Sequence, residues 1–472
     1  MNNLVYDVKD RPPFGKMILF AIQQLLAILA ATIAVPAIVG HGMSQSAALF
    51  GAGVGTIVYI LFTRFKSPVF LGSSFAFLAS MSAAFAGAVT VEVGYIGLII
   101  GAFLAGLVYV IFAIAVKIAG TKWIDKLMPP VIIGPTVAII GLSLSGNAIS
   151  DLFKGGVATT NSYLALCIGL FTLFSIIVAS VFGKKQEKLI PFIIGIVCGY
   201  VVAAIFTGIG FAANNDGLKV INFDLFKNMQ WFPDFTFVTA FGHFGDFENF
   251  GQFMGYFGTI AVAYVPVAFV VFAEHIADHK NLSSIIGRDL TKDPGLDKTL
   301  LGDGVGSMVG AFFGGCPNTT YGESIGCVAI SRNASVLTIF TTAVIAMVIS
   351  FFAPFITFLA TIPSCIMGGV CIALYGYIAV SGLKMIQQVN LNDNKNLFVV
   401  SVILICGVGG MVVTFGKVTI TEVACALILG ILVNLVVNVV PQFRNKRLTV
   451  FDFKEEYTEE PKEEAKKEIK EE

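Results

Sequence analysis

Apolar stretches long enough to cross a lipid bilayer recur along this chain, and they constrain its fold more than any other feature. One of them runs without a charge through residues 17–40, MILFAIQQLLAILAATIAVPAIVG. About 20 such residues span the hydrocarbon core as a helix. Of all residues 56% are hydrophobic and 13% are charged, whereas soluble proteins carry about 25% charged residues. The sequence therefore predicts an all-α polytopic membrane protein.

Fourteen transmembrane spans are predicted from the apolar runs and the charged or Gly/Pro-rich breaks between them. Seven precede a long polar insert, near residues 17–40, 46–63, 68–86, 93–116, 129–147, 161–182 and 189–210. Seven follow it, near residues 254–276, 301–315, 317–330, 334–358, 362–382, 397–413 and 417–440. The third, ninth and tenth spans are short or interrupted by Gly and Pro, so their ends are the least well defined.

The basic residues lie almost entirely on one side of this predicted topology. With a cytoplasmic N-terminus, 26 of the 30 Lys and Arg residues fall on the cytoplasmic side. The four others are Lys154, Lys219, Lys227 and Lys417. Short cytoplasmic loops are enriched in Lys and Arg, so this bias supports the orientation and an even number of spans. Both termini are therefore predicted to be cytoplasmic.

The two halves of the chain resemble each other in three collinear stretches. GAGVGTIVYIL (51–61) matches GDGVGSMVGAF (302–312) at an offset of 251. SPVFLGSSFAF (67–77) aligns with CPNTTYGESIG (316–326) at 249, and residues 129–141 align with 363–375 at 234. Because seven spans per repeat is an odd number, the second repeat must be inverted. Inverted repeats with interrupted helices are typical of secondary transporters, whose sites lie near the membrane midplane.

Two polar breaks, GSSFAF in the third span and TTYGES in the tenth, mark the candidate site. Irregular backbone at membrane depth is tolerated only where it is buried in protein or lines a cavity. Glu323 lies in the second break and Glu274 ends an apolar run, so both can accept N–H groups of a ligand, while amides near Phe75 and Gly322 donate to its carbonyls. A flat heterocycle with alternating N–H and C=O groups would satisfy this set, with the Phe75 ring available for stacking.

Each of these residues also has a structural interpretation. A buried carboxylate can simply join two helices, and Phe75 can be ordinary core packing. Two further acidic residues, Asp303 and Glu422, lie near predicted span ends and are interpreted as structural or interfacial.

Other classes of protein were weighed on the same residues. His275 and His279, spaced i and i+4, would suit the site of a metal-ion transporter, but a solvated helix end is favoured for the stretch EHIADHK, which runs into a charged inner loop. No nucleophile–base pair or metal tetrad indicates an enzyme, and no cofactor or bound metal is expected. A pI near 6.9 with no net charge gives no sign of a nucleic-acid partner.

Five motifs together resemble the bacterial uracil permeases of the nucleobase–ascorbate transporter family. They are RPP near the N-terminus, LGSSFAF, AEH, GCPNTTYGESIG and MGGV followed by LYG, and they occur in this order from about residue 11 to the last span. The resemblance implies two inverted seven-span repeats, with short antiparallel strands in spans 3 and 10. It also implies a proton-coupled symporter that is typically a homodimer.

The same resemblance implies roles for individual residues. Uracil would be held by the carboxylates of Glu274 and Glu323 and by backbone groups of Phe75 and Gly322. Further pocket-lining positions are Ser74, Tyr321 and Tyr375. For proton coupling we expect Glu274 with His275 and Asp278, which follow it on the same helix. The purine branches of the family carry an amide where Glu323 stands.

This chain departs from the family at two positions. The first span has Gln23-Gln24 where Gln-His is frequent, and Asp278 stands four residues after Glu274 where a His is frequent, with His279 one residue further on. Both departures concern groups that can titrate. They therefore bear on proton coupling more than on substrate binding.

The sequence as a whole predicts proton-coupled uptake of uracil across the cytoplasmic membrane. The expected organisation is a core domain (1–118 and 254–358), a gate domain (119–210 and 359–440), an extracellular insert (211–253) and a charged cytoplasmic tail (441–472). The alternatives are a purine or xanthine permease and, in another class, an anion transporter of the related seven-plus-seven fold. An anion site should be cationic and lack the two carboxylates.

Overall fold

Helices make up most of the computed structural model, which describes residues 4–120, 129–184, 187–229, 231–415, 418–420 and 422–448. The predicted outer Lys417 and the predicted tail from residue 449 onward lie outside these residues. The helices are α1 (Phe14–Val39), α2 (Gln45–Phe62), α3 (Leu78–Ala86), α4 (Val91–Ala119), α5 (Pro130–Ser143), α6 (Ser145–Leu152), α7 (Ser162–Phe182), α8 (Pro191–Ala212), α9 (Thr236–Gly242), α10 (Phe250–Ile286), α11 (Leu296–Gly314), α12 (Gly322–Ser331), α13 (Val336–Ile349), α14 (Ala353–Ala360), α15 (Ser364–Ile386), α16 (Asn394–Val408) and α17 (Glu422–Leu448). The strands are β1 (Leu71–Ser73), β2 (Asn318–Thr320), β3 (Val413–Phe415) and β4 (Val418–Ile420).

Eight helices of the described residues are long and apolar enough to cross a membrane, or nine if α13 and α14 form one span. The prediction of a helical, polytopic membrane protein is thus confirmed. The predicted span 334–358 corresponds to two helices, α13 and α14, which meet at a bend of 86°. Phe352 is not helical, and Pro354 in the first turn of α14 favours a new helix start at this point.

Helix α10 continues well past residue 276, the predicted end of the eighth span. It is 37 residues long and includes the whole stretch AEHIADHK. His275 and His279 are both buried, so the solvated helix end considered for this stretch is wrong. The physical reason is that both imidazoles have hydrogen-bond partners inside the protein, which removes the cost of burying them.

Helices α2 and α11, which carry the 251-residue repeat match, pack directly against each other through glycines. A Cβ added to Gly55 would lie 2.7 Å from the carbonyl oxygen of Gly306, and a Cβ added to Gly306 would lie 2.7 Å from that of Gly55. Small residues allow such close backbone approach between membrane helices. The two glycines are equivalent in the repeat alignment, so this reciprocal contact is the one expected on a two-fold axis between the halves.

Strands β1 and β2 meet beside this helix pair and form a two-stranded antiparallel sheet. Leu71 pairs with Thr320, Gly72 with Thr319 and Ser73 with Asn318. Two further strand amides are satisfied by hydroxyls of the glycine-rich helices. Leu71 N–H donates to Thr56 Oγ1 (2.9 Å) and Asn318 N–H donates to Ser307 Oγ (3.0 Å).

These hydrogen bonds correct the alignment of the two breaks. Thr56 and Ser307 are equivalent, so their partners Leu71 and Asn318 are equivalent too, at an offset of 247 rather than 249. The helical turns after the strands begin at Phe75 and Gly322, which are also 247 residues apart. The connection from helix to strand is therefore four residues shorter in the second half. This difference is why the sequence comparison aligned the two breaks at the wrong offset.

The helices pack in two sets. Helices α1–α4 pack mainly with α10–α13, whereas α5–α8 pack mainly with α15–α17. The strand pair β1–β2 belongs to the first set, and α10 and α12 of that set face α5 and α15 of the second across a cavity. A second strand pair, β3 with β4, was not predicted; it lies between α16 and α17, and β4 falls within the start of the predicted span 417–440.

Ion pairs bring together three segments that the topology predicts on the cytoplasmic side. Lys66, which follows α2, lies 2.5 Å from Asp293 in the connection between α10 and α11. Arg288 in the same connection pairs with Asp7, which precedes α1. The segments before α1, after α2 and after α10 therefore lie at one end of the molecule. This agrees with the parity of the predicted spans.

Candidate functional site

The two chain interruptions each place the start of a helical segment at the centre of the molecule. Phe75 begins one segment and Gly322 the other, and each is preceded by an extended residue, Ser74 and Tyr321. Neither of these two preceding residues caps its helix with its side chain. The first amides of a helix have no partner within it and carry partial positive charge. Both starts can therefore donate hydrogen bonds to a ligand oxygen.

A small recess at these helix starts brings together most of the residues singled out in the sequence. It has a volume of about 50 Å³ and opens between β2, α10 and the start of α12. The predicted site residues that line it are Ser74, Phe75, Glu274, Tyr321, Gly322 and Glu323. Residues 200 or more positions apart in sequence thus meet at one point, because β1 pairs with β2 and α10 packs beside them.

The recess adjoins a larger cavity of about 440 Å³, which Glu274, Asp278 and Glu323 also line. Its opposite wall is mainly apolar and comes from α5, α8 and α15, through Val137, Phe192, Leu374, Ile378 and Met385, with Ser180 of α7 and Tyr377 and Ser381 of α15 as its polar members. Lys188, which the topology predicts to be cytoplasmic, also lines this cavity. The arrangement is a polar, acidic wall on one set of helices facing a mainly apolar wall on the other.

The carboxylates of Glu274 and Glu323 are available to a ligand. Neither forms an ion pair with Lys or Arg in the part of the chain that the structure describes. Asp278 differs, because its Oδ2 accepts a hydrogen bond of 2.7 Å from Thr320 Oγ1. Thr320 was not predicted as part of the site, although its place in the TTYGES break could have indicated it.

The two predicted tyrosines have different positions. Tyr321 donates from its hydroxyl to the carbonyl oxygen of Ser73 (2.8 Å), and its ring covers Gly72, where a Cβ would lie 2.3 Å away. It therefore locks the strand pair. The Tyr375 ring, on α15, meets the Phe75 ring edge-on at 5.8 Å, and its buried hydroxyl has no hydrogen-bond partner within the described chain. Tyr375 thus connects the second helix set to the recess.

His275 and His279 lie on a different face of α10 from the cavity. His275 Nδ1 is 2.6 Å from Asp303 Oδ2, and its Nε2 is 3.0 Å from Thr299 Oγ1. His279 Nε2 is 2.7 Å from the Tyr59 hydroxyl, and its Nδ1 is 2.8 Å from the His275 carbonyl oxygen. All four ring nitrogens have protein partners, which leaves none free for the metal ion considered from the i, i+4 spacing.

Asp303 belongs to the interior and not to a membrane interface. It is 1% exposed and bonds His275 across two helices, so the structural interpretation fits and the interfacial one is wrong. Gln24 was likewise noted only as a departure from the family. Its amide nitrogen donates to Ser324 Oγ, which also accepts from the Phe70 N–H (2.9 Å). Gln24 thereby connects α1 to the residue next to Glu323.

A second cavity, of about 510 Å³, opens at the opposite end of the interface between the two helix sets. Ser44, Asp151, Asp234 and Met367 are among the residues that line it. None of the predicted site residues does. The acidic recess is therefore continuous with the cavity at the predicted cytoplasmic end.

Such a molecule, with many apolar helices and a polar recess at two helix starts between its two helix sets, has the form of a membrane transporter. The family model Xan_ur_permease, described as Permease family, matches residues 15–416. The chain belongs to this permease family, which confirms the resemblance seen in the sequence motifs.

Proteins named as uracil permeases are similar to this chain over nearly its whole length. The uracil permease of Bacillus caldolyticus is 38% identical over 447 residues, which are 94% of this chain and 96% of that protein. The uracil permease of Bacillus subtilis strain 168 is 36% identical, covering 91% of this chain and 94% of its own length. The uracil permease of Escherichia coli K12 is 32% identical, covering 95% and 98%.

Solved structures of more distant proteins share the fold. The transmembrane domain of the cyanobacterial bicarbonate transporter BicA matches with a TM-score of 0.59 at 16% identity, covering 91% of this chain and 99% of that domain. The murine Slc26a9 anion transporter, in an inward-facing state, matches with a TM-score of 0.62 at 13% identity, covering 92% and 69%. At this identity the likeness concerns the fold alone.

Proposed function

We propose that this protein takes up uracil across the cytoplasmic membrane by secondary active, proton-coupled symport. The observation that carries the proposal is the recess in which two carboxylates, Glu274 and Glu323, face two helix starts, at Phe75 and Gly322. Uracil has two N–H donors and two carbonyl acceptors in one plane. The full-length similarity to uracil permeases supports the same substrate.

In the proposed complex the carboxylates accept the ligand N–H groups and the backbone amides donate to its carbonyls. A charge-assisted N–H···O⁻ bond is about twice as strong as a neutral one. The Ser74 hydroxyl, which has no hydrogen-bond partner among the described residues, adds to the polar lining. The Phe75 ring, held edge-on by Tyr375, provides an apolar face.

The proposed architecture is fourteen spans in two inverted repeats of seven, with spans 3 and 10 interrupted. Besides the long helices, the shorter apolar helices Phe75–Ala86, Asn394–Val408 and Glu422–Asn438 support additional crossings. The core domain would comprise 1–118 and 254–358 and the gate domain 119–210 and 359–440, in agreement with the two helix sets. Movement of the core against the gate would expose the recess to either side in turn.

For coupling, we assign the proton to the carboxyls that line the cavity, Glu274 and Asp278. Both face the space through which the ligand passes. His275, also predicted for this role, bonds Asp303 and Thr299 instead, so in the proposal it acts only through its neighbour Glu274. Cytoplasmic termini and a homodimer complete the proposal, on the basis of charge distribution and family resemblance respectively.

The proposal is tested by uptake of radiolabelled uracil into proteoliposomes with an imposed proton gradient. Unlabelled uracil should compete, whereas xanthine and sulfate should not. Strong competition by xanthine would favour the purine permease, and competition by sulfate would favour an anion transporter. Equal uptake with and without the protein would contradict transport of uracil altogether.

A further inference from the structure

A small closed cavity lies behind strand β2, separate from the ligand recess. Its volume is about 10 Å³, which is roughly the room that one water molecule requires. Residues from four core elements line it, among them Tyr109 (α4), Val271 (α10), Asp303 and Ser307 (α11), and Asn318 (β2). Of these, none lines the recess or the larger cavity beside it.

Two acceptor oxygens in the wall of this cavity lack a donor. Asp303 Oδ1 and Asn318 Oδ1 are buried and have no hydrogen-bond partner among the described residues. The other side-chain atoms of both residues are already engaged. Asp303 Oδ2 pairs with His275 Nδ1 (2.6 Å), and Asn318 Nδ2 donates to the carbonyl oxygen of Gly51 (3.2 Å). Since buried acceptors without donors are unfavourable, an occupant with two donors is expected.

We propose that this cavity is a binding site for a single structural water molecule, which donates to Asp303 Oδ1 and Asn318 Oδ1. The Tyr109 hydroxyl, which is buried without a partner among the described residues, donates to the water oxygen, whereas Ser307 Oγ, also in the lining, already accepts from the Asn318 N–H. Three hydrogen bonds are the usual number for a buried water in a protein. A larger ligand does not fit the volume.

The water joins α10 to β2 on the side remote from the ligand. The connection runs from His275 through Asp303 and the water to Asn318. On the ligand side, Asp278 and Thr320 make the same connection directly. Glu274 precedes His275, and Glu323 follows Thr320 by three residues, so the two tethers hold the two carboxylates at a fixed separation. This positioning role rests on the proposed function, in which both carboxylates bind one ligand.

The water site itself is tested by a high-resolution cryo-EM map of the full-length protein in lipid nanodiscs without ligand. We expect a density peak within hydrogen-bonding distance of Asp303 Oδ1 and Asn318 Oδ1. A cavity without density would overturn the site. This measurement needs neither a variant nor uracil, so its outcome is independent of whether uracil is the substrate.

The positioning role is tested with Tyr109→Phe, which removes only the hydroxyl. The matched control is Tyr264→Phe, because the Tyr264 hydroxyl is also buried and unpartnered but does not line the cavity. Uracil binding to purified, monodisperse protein should weaken about fivefold in Tyr109→Phe, the loss of roughly one hydrogen bond, and remain unchanged in Tyr264→Phe. Equal affinities of the two variants would contradict the positioning role.

A monovalent cation is the competing occupant, since all three groups are oxygens. It would raise the thermal stability of the wild-type protein in NaCl over choline chloride, and Tyr109→Phe would reduce that difference. Such a sodium effect overturns the assignment to water. Equal stability in the two salts, together with the density peak, supports it.

Discussion

The carboxylate of Asp278 accepts a hydrogen bond of 2.7 Å from the hydroxyl of Thr320 and so joins α10 to β2 at the edge of the ligand cavity. Asp278 lies one helical turn after Glu274 on the same face, yet only Asp278 has this partner. The two acidic residues of α10 are thus placed for different tasks. Glu274 is free to bind a ligand, whereas Asp278 is held in the wall.

This difference predicts the effect of Asp278→Asn. The amide oxygen can still accept from Thr320, so the wall should keep its shape and uracil affinity should stay within a few-fold of the wild type. The amide cannot exchange a proton, so accumulation driven by a proton gradient should fall strongly. Binding to purified protein and uptake into proteoliposomes are measured on the same preparation. A loss of binding as large as the loss of uptake would contradict this separation.

Glu323→Gln should weaken uracil transport by changing one acceptor into a mixed donor and acceptor. A hydrogen bond to a charged group contributes about 1.5–3 kcal/mol, so binding should weaken roughly 10- to 150-fold. The control is Glu422→Gln, which alters a carboxylate in the first turn of α17, outside the recess. The measurement is the initial rate of uracil uptake by each variant and by the wild type at matched expression. Near-normal uptake by Glu323→Gln would remove this residue from the site.

Gly55→Ala should destabilise the core, although Gly55 itself does not line the ligand recess. The added Cβ would lie 2.5 Å from Asn318 Nδ2 and 2.7 Å from the Gly306 carbonyl oxygen, so α2 and α11 would have to separate. Overpacking of this kind costs about 1–3 kcal/mol. Gly146→Ala is the control, because no atom lies within 4 Å of the added Cβ there. A lower thermal midpoint is expected for Gly55→Ala alone, measured in detergent by fluorescence-detected chromatography; equal midpoints would argue against the tight contact.

Membrane orientation is predicted from the basic residues. Cysteines replacing Lys184 or Lys298 should be cytoplasmic, and a cysteine replacing Lys227 should be external, in a background without the eight native cysteines. An impermeant thiol reagent applied to intact cells should label only the Lys227 position. Disrupted cells serve as the control for reactivity. Labelling of Lys184 or Lys298 positions from outside would require a different span count.

The long helices and the two interruptions could be predicted because bilayer thickness and backbone hydrogen bonding impose them on any sequence. The alignment of the two breaks with each other could not be predicted, because it depends on the lengths of the connections after α2 and α11. It becomes apparent only from the hydrogen bonds that Thr56 and Ser307 form with the strands. The bend between α13 and α14 was also missed, because both segments are equally apolar on either side of Ser350.

Within the site, sequence motifs indicated which residues meet but not how they are held. The pair His275–Asp303 joins residues 28 positions apart, and its existence depends on how α10 and α11 are rotated. The hydropathy of the sequence does not specify how the two helices are rotated about their axes. The charge of Asp303 therefore suggested that this residue lies at a span end. In the structure it lies in the interior, because its partner His275 on α10 allows the carboxylate to be buried.

Glu274→Gln tests whether one group both binds the ligand and carries the proton. Glu274 lines the recess and the larger cavity, so it can contact the ligand and also exchange a proton with water at the predicted cytoplasmic end. In the proposed cycle its carboxyl takes up the coupling proton on the external side, accepts a uracil N–H through its carbonyl oxygen, and releases both the proton and uracil on the cytoplasmic side. Glutamine keeps the shape but cannot be ionised. Concentrative uptake should therefore be abolished, whereas binding should stay within a few-fold of the wild type, because the amide oxygen can still accept the uracil N–H.

The pH dependence of binding distinguishes this mechanism from simple loss of affinity. In the wild type, uracil affinity should rise as pH is lowered, because in a symporter the coupling proton and the ligand favour each other's binding, whereas in Glu274→Gln this dependence should be flattened. Asp278→Asn should show the same pH dependence of uracil affinity as the wild type, since Glu274 is intact in this variant. Replacing sodium by choline should change none of these results. Glu274→Gln protein that still accumulates uracil against a gradient, or an unchanged pH profile in that variant, would place the coupling proton on another residue, and Asp278, the other carboxyl in the cavity wall, would be the next to test.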